Sequence, residues 1–593
     1  MSQFFKFIFA SCLGTTLAFL LLIFIFIWIG SSKVAKELSS PIVSVAENSV
    51  LKISIPDQLP EQTNNVEMNG FNFKDEKVIG VHDYAKCIRN AATDPHIKGI
   101  YISGSPYSHG YATLKIIRDA LLEFKNNNKF IIAYNNFYDH KNYFISSVAD
   151  EVIIHPLGFI ELKGFGASIP FFKELMEKIG LSFNIYYAGE FKSATEPFRL
   201  SKMSDQNRLQ LREYLNSQMQ VYVDQVALSR NISPSELRND FDQFLSYTSQ
   251  KAIDHKLMDK QGYEQDALND IRHKLNLEVD KKINFISMND YFQSKGNEVD
   301  YSAKNKIAIL FAEGDITDKP GKEGEIGKKY LKIISEIRTD DKIKALVLRV
   351  NSPGGSAIMS DEILHELDLT RTAGKPIVVS MGDYAASGGY YISCHADSIF
   401  ASPHTLTGSI GVFAMIPNIK TMTDEKIGID FDTVGTGPMA NKFNLTATWG
   451  EQEAQIMNEN INNTYNTFLK VVSEGRKFDL EKTKEIAKGR IWTGPKAKEL
   501  GLVTRLGELE DAIKCAASLA SLDKYRTVEY PTQKDALQKL LNKFQNKDEE
   551  MSIQATTMIL KEQLGQFYPY YKEWNEIQKL KGVQMRLPIK IIY

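Results

Sequence analysis

The stretch KPIVVSMGDYAASGGYYISCHADSIFASP, residues 375–403, shows how this chain is built. It contains a run of β-branched apolar residues, a turn of small residues around Ser387, a short helical segment and a second apolar run. Such runs are typical of buried strands, and strands separated by helices indicate parallel pairing. The segment therefore predicts part of an α/β domain with a parallel sheet.

A second copy of this stretch lies earlier in the chain, as KFIIAYNNFYDHKNYFISSVADEVIIHP over residues 129–156. The preceding runs also correspond, because DPHIKGIYISGSP at 94–106 aligns with DDKIKALVLRVNS at 340–352, and the offset stays near 246 residues. Self-similarity at a fixed offset indicates a duplication. Since each copy repeats the strand–helix–strand order, the sequence predicts two tandem α/β domains with right-handed crossovers.

The two copies differ where chemistry is expected. The second copy reads NSPGGS at 351–356 where the first reads SGSPYS at 103–108, and AASGG places Ser387 at a strand-to-helix corner. Glycine loops and helix N-termini both present free backbone N–H groups. Two such loops beside one serine would form an oxyanion hole for acyl transfer. Two tight turns without a catalytic role are the alternative.

Three residues are candidates for the base that activates Ser387. Histidine is the usual general base, and His395 and His404 are close in sequence, although neither is expected to face the serine. The first half offers Lys192 in the loop YYAGEFKSATEPF, residues 186–198, and the second half has no lysine at the aligned position. Each half therefore keeps a residue that the other lacks. A solvated surface lysine is the alternative interpretation.

Composition narrows the class of protein. The chain has 593 residues, enough for two or three domains, and its 71 basic and 73 acidic side chains are balanced. This balance gives no electrostatic reason to expect nucleic acid as a partner. The four cysteines have neither CxxC pairs nor metal-ligand spacing, so we expect no disulfide framework and no metal site.

The N-terminal stretch FIFASCLGTTLAFLLLIFIFIWI, residues 7–29, carries no charge. It is long enough to cross roughly 30 Å of hydrocarbon as a helix, and longer than the apolar region of a cleavable signal peptide. A membrane anchor is the favoured interpretation, with a signal peptide as the alternative. Lysines flank the stretch on both sides, at Lys6, Lys33 and Lys36, so charge does not set its orientation.

Together these features resemble the signal peptide peptidase A family, also called protease IV, in its long form. The resemblance covers nearly the whole chain and rests on several motifs in the right order: the N-terminal anchor, GEFKSATEPF (189–198), VNSPGG (350–355), ASGGYYI (386–392), LTGSIGVF (406–413) and RIWTGPKAKELGLVTRLG (490–507). It implies two fused domains of the Clp-protease/crotonase-like fold. It also implies a serine endopeptidase that degrades cleaved signal peptides and other unfolded peptides.

The resemblance assigns roles to individual residues. The serine of the ASGGYY motif, here Ser387, is implied to be the nucleophile, and the lysine of GEFKSATEPF, here Lys192, the general base. The serine of TGSIG, here Ser409, is implied to orient the lysine, with a turn hydroxyl that bonds its own backbone as the alternative. The family chemistry passes through an acyl-enzyme and needs no metal and no cofactor.

The oxyanion donors follow from the same resemblance. The backbone N–H of Gly388 is implied to point at the developing oxyanion, and the second N–H comes from Gly355, or from Gly354 if the loop is shifted by one residue. Small residues around Ser387 leave room for an extended peptide to cross the serine. Lys192 must be neutral to accept a proton, so we expect burial to lower its pKa.

The resemblance further implies a homotetramer in the bacterial inner membrane, with the catalytic part on the periplasmic side and peptides as substrates. The predicted organisation is a short tail (1–6), a transmembrane anchor (7–29), a linker (30–48), an N-terminal domain with the lysine (49–300), a C-terminal domain with the serine (301–531) and a helical tail (532–593). The tail is expected to serve packing or subunit contact. Two alternatives for function are a crotonase-like acyl-CoA enzyme and a catalytically silent membrane scaffold.

Overall fold

The computed structural model describes residues 44–65, 78–104, 107–295, 302–533 and 582–587. By its contacts the chain divides into Met1–Ala46 and Glu47–Tyr593. The predicted membrane anchor, 7–29, lies outside the described residues. Among the residues that are described, none of the helices combines the length and the apolar character needed to cross a bilayer.

The described residues of Glu47–Tyr593 contain twenty strands, which form three sheets. In chain order the strands are β1 (Ser49–Ile53), β2 (Ile97–Ile102), β3 (Phe130–Asp139), β4 (Glu151–Glu161), β5 (Ser182–Ala188), β6 (Lys260–Gln261), β7 (Asn284–Ser287), β8 (Lys306–Glu313), β9 (Asp315–Ile316), β10 (Glu325–Ile326), β11 (Ile343–Ser352), β12 (Gly354–Ser356), β13 (Ile377–Ala386), β14 (Ser398–Ala401), β15 (Leu406–Gly408), β16 (Val412–Asn418), β17 (Ile491–Thr493), β18 (Arg505–Leu506), β19 (Arg526–Tyr530) and β20 (Gln584–Arg586).

Helices connect the strands and cover the sheets. In chain order the α-helices are α1 (Val81–Thr93), α2 (Tyr111–Lys125), α3 (His140–Ser146), α4 (Lys173–Ile179), α5 (Glu196–Arg199), α6 (Asp205–Arg230), α7 (Pro234–Gln243), α8 (Ser249–Asp254), α9 (Glu264–Lys274), α10 (Met288–Lys295), α11 (Lys329–Thr339), α12 (Ala357–Thr372), α13 (Gly388–Tyr391), α14 (Glu451–Arg476), α15 (Leu480–Ile486), α16 (Gly494–Leu500) and α17 (Leu509–Leu519). The described residues also contain a 3₁₀ turn at Ser193–Thr195 and a π-helical turn at Met422–Ile427.

Each half of the chain carries its own parallel sheet, which confirms the predicted α/β class. The first half has the order β6-β4-β3-β2-β1-β7, and every pair in it is parallel. The second half has the order β17-β15-β13-β11-β8-β19, with β14 beside β13 and β18, and only β15 and β17 are antiparallel in it. Helices on both faces explain why β11 is buried along most of its length.

The strands of the two halves occupy the positions that the repeat predicts. β2 begins at Ile97 and β11 at Ile343, and the next equivalent strands, β3 and β13, begin at Phe130 and Ile377. In each half, residues on these strands are buried because the helices that connect parallel strands pack against the sheet.

A third sheet joins the two halves. Its order is β10-β9-β12-β20-β16-β5, so it combines a strand of the first half, strands of the second half and a strand from the C-terminal tail. β5 pairs antiparallel with β16 over seven residue pairs. The tail strand β20 differs from the helical tail predicted for residues 532–593. This sheet lies directly beside the glycine loop of the second half, because β12 is part of it.

Candidate active site

Ser387 occupies the corner between β13 and α13. Its backbone has φ 56° and ψ −115°, a region that non-glycine residues rarely adopt. The corner is fixed on both sides: the Ser387 N–H donates to the Gly408 carbonyl at 2.8 Å, and the Tyr391 N–H donates to the Ser387 carbonyl at 2.8 Å. The side chain is fully buried. A strained serine held by surrounding hydrogen bonds is typical of a preorganised nucleophile.

Lys192 reaches Ser387 from the other half of the chain. It follows β5, and the β5–β16 pairing places it next to the second domain. Its Nζ lies 2.8 Å from Ser387 Oγ, 3.0 Å from Ser409 Oγ and 3.1 Å from the Ser409 carbonyl oxygen. The structure therefore brings the three sequence-predicted side chains together within one chain.

The environment of Lys192 favours the neutral amine. The side chain is 1% exposed, and burial lowers the pKa of Lys192 well below its ordinary value. The hydrogen-bond partners of Nζ are hydroxyl and carbonyl oxygens, which carry no full charge to offset the desolvation of an ammonium group. A neutral amine in contact with a serine hydroxyl is able to accept its proton.

Ser409 is held by the strand pair β15–β17. It has φ 51°, and its N–H donates to the Arg490 carbonyl at 2.7 Å. Its hydroxyl contacts Lys192 and also lies 3.4 Å from the Gly489 carbonyl oxygen. The interpretation of Ser409 as a turn hydroxyl that bonds only its own backbone does not describe this contact with the amine.

Gly489 is a site residue that the sequence analysis missed. It has φ +74°, and a Cβ at this position would lie 2.7 Å from Lys192 Cβ. The Phe191 N–H donates at 2.8 Å to the carbonyl of Lys488, the residue before Gly489. The loop therefore packs against the lysine backbone and allows no side chain at 489. The signal for it was a glycine directly before the RIWTG motif.

The two glycine N–H groups in the loop after β11 differ in whether they are free to serve as oxyanion donors. The Gly354 N–H donates to Ser352 Oγ at 3.2 Å, which occupies it within the loop. Gly355 pairs with Met585 of β20, and a Cβ on Gly354 would overlap the Met585 carbonyl oxygen and lie 2.7 Å from Gly388 N. Of the two alternatives for the second oxyanion donor, this arrangement favours Gly355.

Neither candidate histidine bonds to Ser387. His395 Nδ1 lies 2.8 Å from Asp368, and its Nε2 lies 3.0 Å from the Val471 carbonyl oxygen. His404 is buried with Nδ1 2.8 Å from Gln218 Oε1, and burial lowers the pKa of His404 to about 3. Both imidazoles are held by other groups. The Ser-His alternative therefore has no geometric support.

Contacts between the halves also involve β13, the strand that leads to Ser387. The Asp383 carboxylate, four residues before Ser387, accepts from the N–H groups of Ala112 and Thr113 at 2.9 and 3.1 Å and from the Thr113 hydroxyl at 2.6 Å. This places the N-terminus of α2 on β13. Helix N-termini bind carboxylates through their free N–H groups and positive dipole.

A buried ion pair adds a second contact between the halves. Arg349 on β11 donates from Nε to the Glu61 carboxylate at 2.9 Å, and Arg349 is fully buried. Burial alone would raise the pKa of Glu61, but the Arg349 guanidinium and His82 lower it to about 2. Nearby, burial and the Glu61 carboxylate raise the pKa of Glu313 to about 7.

Comparison with known proteins assigns a class to this site. Residues 123–278 and 370–523 match the family model Peptidase family S49, one match in each half. The chain is 34% identical over 469 residues to "Protease 4" of Salmonella typhi, covering 78% of this chain and 75% of the relative. It is 28% identical over 486 residues to "Serine protease SPPA, chloroplastic" of Arabidopsis thaliana, covering 81% and 70%.

Among solved structures, a point mutant of ClpP1 from Listeria monocytogenes matches at 14% identity and TM-score 0.24, over 35% of this chain and 94% of that one. The family match and the relatives define a serine peptidase. Within that class, the chain belongs to peptidase family S49. The resemblance recognised in the sequence is thereby confirmed.

Proposed function

We propose that this serine peptidase cleaves unfolded peptides, cleaved signal peptides among them, with Ser387 as nucleophile and Lys192 as general base. The observation that carries the proposal is the contact of 2.8 Å between Lys192 Nζ and Ser387 Oγ in a fully buried setting. A lysine in water is protonated and cannot act as a base, whereas burial without a charged partner lowers the pKa of a lysine and favours the neutral amine.

The reaction follows from these positions. Lys192 takes the Ser387 proton as Oγ attacks the peptide carbonyl carbon, and the N–H groups of Gly388 and Gly355 stabilise the oxyanion. The Lys192 ammonium, oriented by Ser409, then gives its proton to the leaving amine as the peptide C–N bond breaks. Water hydrolyses the acyl-enzyme with the same lysine as base, which restores Ser387.

The shape of the site supports unfolded peptides as substrates. Between β12 and β16 the third sheet holds the extended segment β20, so this part of the site is able to receive backbone in the extended form of an unfolded peptide. A folded protein does not offer a free extended segment of this kind. The resemblance to signal peptide peptidase A supports cleaved signal peptides as the natural class.

The proposal extends to location and assembly. Residues 7–29 would anchor the chain in the bacterial inner membrane with the catalytic part on the periplasmic side, supported by the uncharged stretch and by the family resemblance. Four chains would form a homotetramer. An alkaline phosphatase fusion after Tyr593 that is inactive in cells would contradict this topology, and a monomeric active enzyme in light scattering would contradict the tetramer.

The site gives less support to the two alternative functions, an acyl-CoA enzyme and a catalytically silent scaffold. A crotonase-like acyl-CoA enzyme stabilises an enolate without a nucleophile, so it has no use for a serine in contact with a buried lysine. A silent scaffold has no need for a buried amine that costs desolvation energy. Binding of an acyl-CoA by the full chain would restore the first alternative.

The test is hydrolysis of an internally quenched, unstructured peptide by the full chain and by Ser387→Ala and Lys192→Ala. Both variants are expected to lose activity, while the control His395→Ala, whose imidazole bonds Asp368 and Val471, is expected to keep most of it. Circular dichroism checks that each variant is folded. Peptide hydrolysis by Ser387→Ala at the parent rate would contradict the proposal.

A further inference from the structure

The C-terminal tail places a strand of its own in the third sheet. β20 lies between β12 of the glycine loop and β16, and it runs antiparallel to both. Its partners on β12 are Gly354 opposite Arg586, Gly355 opposite Met585, and Ser356 opposite Gln584. The tail therefore occupies the position where an extended peptide would add to the sheet beside Ser387.

The register of this strand is fixed by two hydrogen bonds. The Leu587 N–H donates to the Pro353 carbonyl at 2.8 Å, and the Ala357 N–H donates to the Val583 carbonyl at 3.3 Å. Hydrogen-bonded pairs alternate with non-bonded pairs along an antiparallel ladder. The Gly355/Met585 pair lies midway between these two pairs and is therefore a hydrogen-bonded pair.

This register directs the Met585 carbonyl toward the glycine loop. Its oxygen accepts from the Gly355 N–H by the alternation of the ladder. The same oxygen lies 3.1 Å from the position that a Cβ on Gly388 would occupy, and a Cβ on Gly354 would overlap it. The carbonyl oxygen of Met585 thus lies beside both backbone segments, Gly354–Gly355 and Gly388, that the proposed mechanism assigns to the oxyanion.

The side chains of the tail strand also make specific contacts with the rest of the chain. Met585 is 2% exposed and packs into the main core cluster of the second half. Leu587 is 7% exposed and packs in a smaller cluster whose other buried members are Leu211, Tyr214, Ala386, Leu406 and Ile491. Between them, Arg586 donates to Asp315 at 2.9 Å.

We propose that the C-terminal segment Val583–Leu587 is a substrate-like occupant of the peptide groove, with the Met585 carbonyl in the oxyanion hole. The segment then competes within the molecule with peptide substrates. It also defines the preferred substrate: an extended peptide with an apolar residue at the cleaved carbonyl, a basic residue after it and an apolar residue next. This inference rests on the proposed function, because it uses the same serine site.

A reversible cross-link tests where the tail strand lies. Ser356 and Gln584 form a non-bonded pair, in which the two Cβ atoms are closest, so Ser356→Cys with Gln584→Cys is expected to form a disulfide on mild oxidation. Peptide hydrolysis by the full chain should then fall about tenfold or more, because a tethered competitor has a high effective concentration. Reduction should restore the rate.

The matched control is Ser356→Cys with Met585→Cys. Successive residues of a strand point to opposite faces, so these two cysteines should not cross-link, and oxidation should leave the rate unchanged. Non-reducing intact mass reports the disulfide in both variants. A cross-link that forms without loss of activity would overturn the inference, as would a failure to cross-link in an enzyme that hydrolyses peptides.

A charge change tests the same occupancy without a covalent bond. Arg586→Glu places a carboxylate opposite Asp315, which should release the tail and lower the apparent KM for a peptide about tenfold with kcat unchanged. Arg586→Lys keeps the charge and should keep the parent KM. An unchanged KM in Arg586→Glu would overturn the inference.

The outcomes separate this inference from the proposed function. If neither the parent nor Arg586→Glu hydrolyses any peptide, and the reduced cysteine variants are equally inactive, the proposed function fails. If the parent hydrolyses peptides through Ser387 while the tail variants behave like the parent and do not cross-link, the proposed function stands and the resident tail is refuted.

Discussion

Replacing Ser409 with alanine removes one of the three oxygen atoms that contact Lys192 Nζ. The hydroxyl lies 3.0 Å from Nζ, and the backbone carbonyl of the same residue, at 3.1 Å, remains after the substitution. In the proposed mechanism Lys192 becomes an ammonium in the transition state, so the lost contact is a hydrogen bond to a charged group. Such bonds contribute about 1.5–3 kcal/mol, which corresponds to a decrease in kcat of about 10- to 160-fold.

The substitution also has a predicted sign on the pH profile. The oxygen dipole of the hydroxyl stabilises the ammonium form more than the amine, so its removal should lower the pKa of Lys192 further. The rise of kcat/KM with pH should therefore move to lower pH, while the plateau at high pH decreases. Initial rates on a quenched peptide across the pH range give both quantities.

Ser409→Gly is the matched control, because Ser409 has φ 51° and glycine removes the hydroxyl while relaxing the backbone. Both variants should lose rate to a similar extent if the hydroxyl is the cause. A Ser409→Gly enzyme at the parent rate, beside an inactive Ser409→Ala, would assign the effect to backbone strain. Parent-like rates in both variants would refute the role of Ser409.

Three further predictions concern residues that surround the Ser387–Lys192 pair. Asp383→Ala leaves the N–H groups at the start of α2 and the Thr113 hydroxyl without their acceptor, so the free energy of unfolding should fall by about 1–3 kcal/mol; an unchanged Tm would contradict this. Glu313 has a raised pKa, so the folded protein binds more protons than the unfolded chain between pH 4.5 and about 7, and stability is lost as pH rises through that window. Glu313→Gln should flatten this fall in Tm, and an identical slope would refute the assignment. Gly489→Ala adds a Cβ 2.7 Å from Lys192 Cβ and should abolish peptide hydrolysis in a folded protein, whereas full activity would show that the loop tolerates the side chain.

The duplication is the part of the fold that the sequence predicts best. Strands such as β2 and β11 are mostly apolar because both faces of a parallel sheet are covered, and this pattern is visible in both copies. The third sheet is not predictable in this way. Its short strands, such as β9, β12 and β20, contain two or three residues each, too few to show a period.

The candidate site, like the fold, is only partly predictable from the sequence. Small residues around Ser387 and the PGG loop indicate backbone N–H groups that no side chain obstructs, and this feature is readable in the sequence. The contact of Lys192 with Ser387 spans 195 residues and depends on the pairing of β5 with β16, which no local pattern encodes. The comparison of the two copies made Lys192 one of three candidates for the base, and only the family resemblance selected it. The passage of the tail strand beside the site was missed for the same physical reason.

The most direct test of the Ser387–Lys192 pair is the pH dependence of kcat/KM for an unfolded peptide, measured for the full chain and for Lys192→Arg. The parent should show a rise with an apparent pKa well below the ordinary lysine value, because burial disfavours the ammonium. Lys192→Arg keeps a charge that does not dissociate and should be inactive at every pH. Hydrolysis by Lys192→Arg at near the parent rate, together with its loss in His395→Ala, would contradict the lysine base and return the role to a histidine.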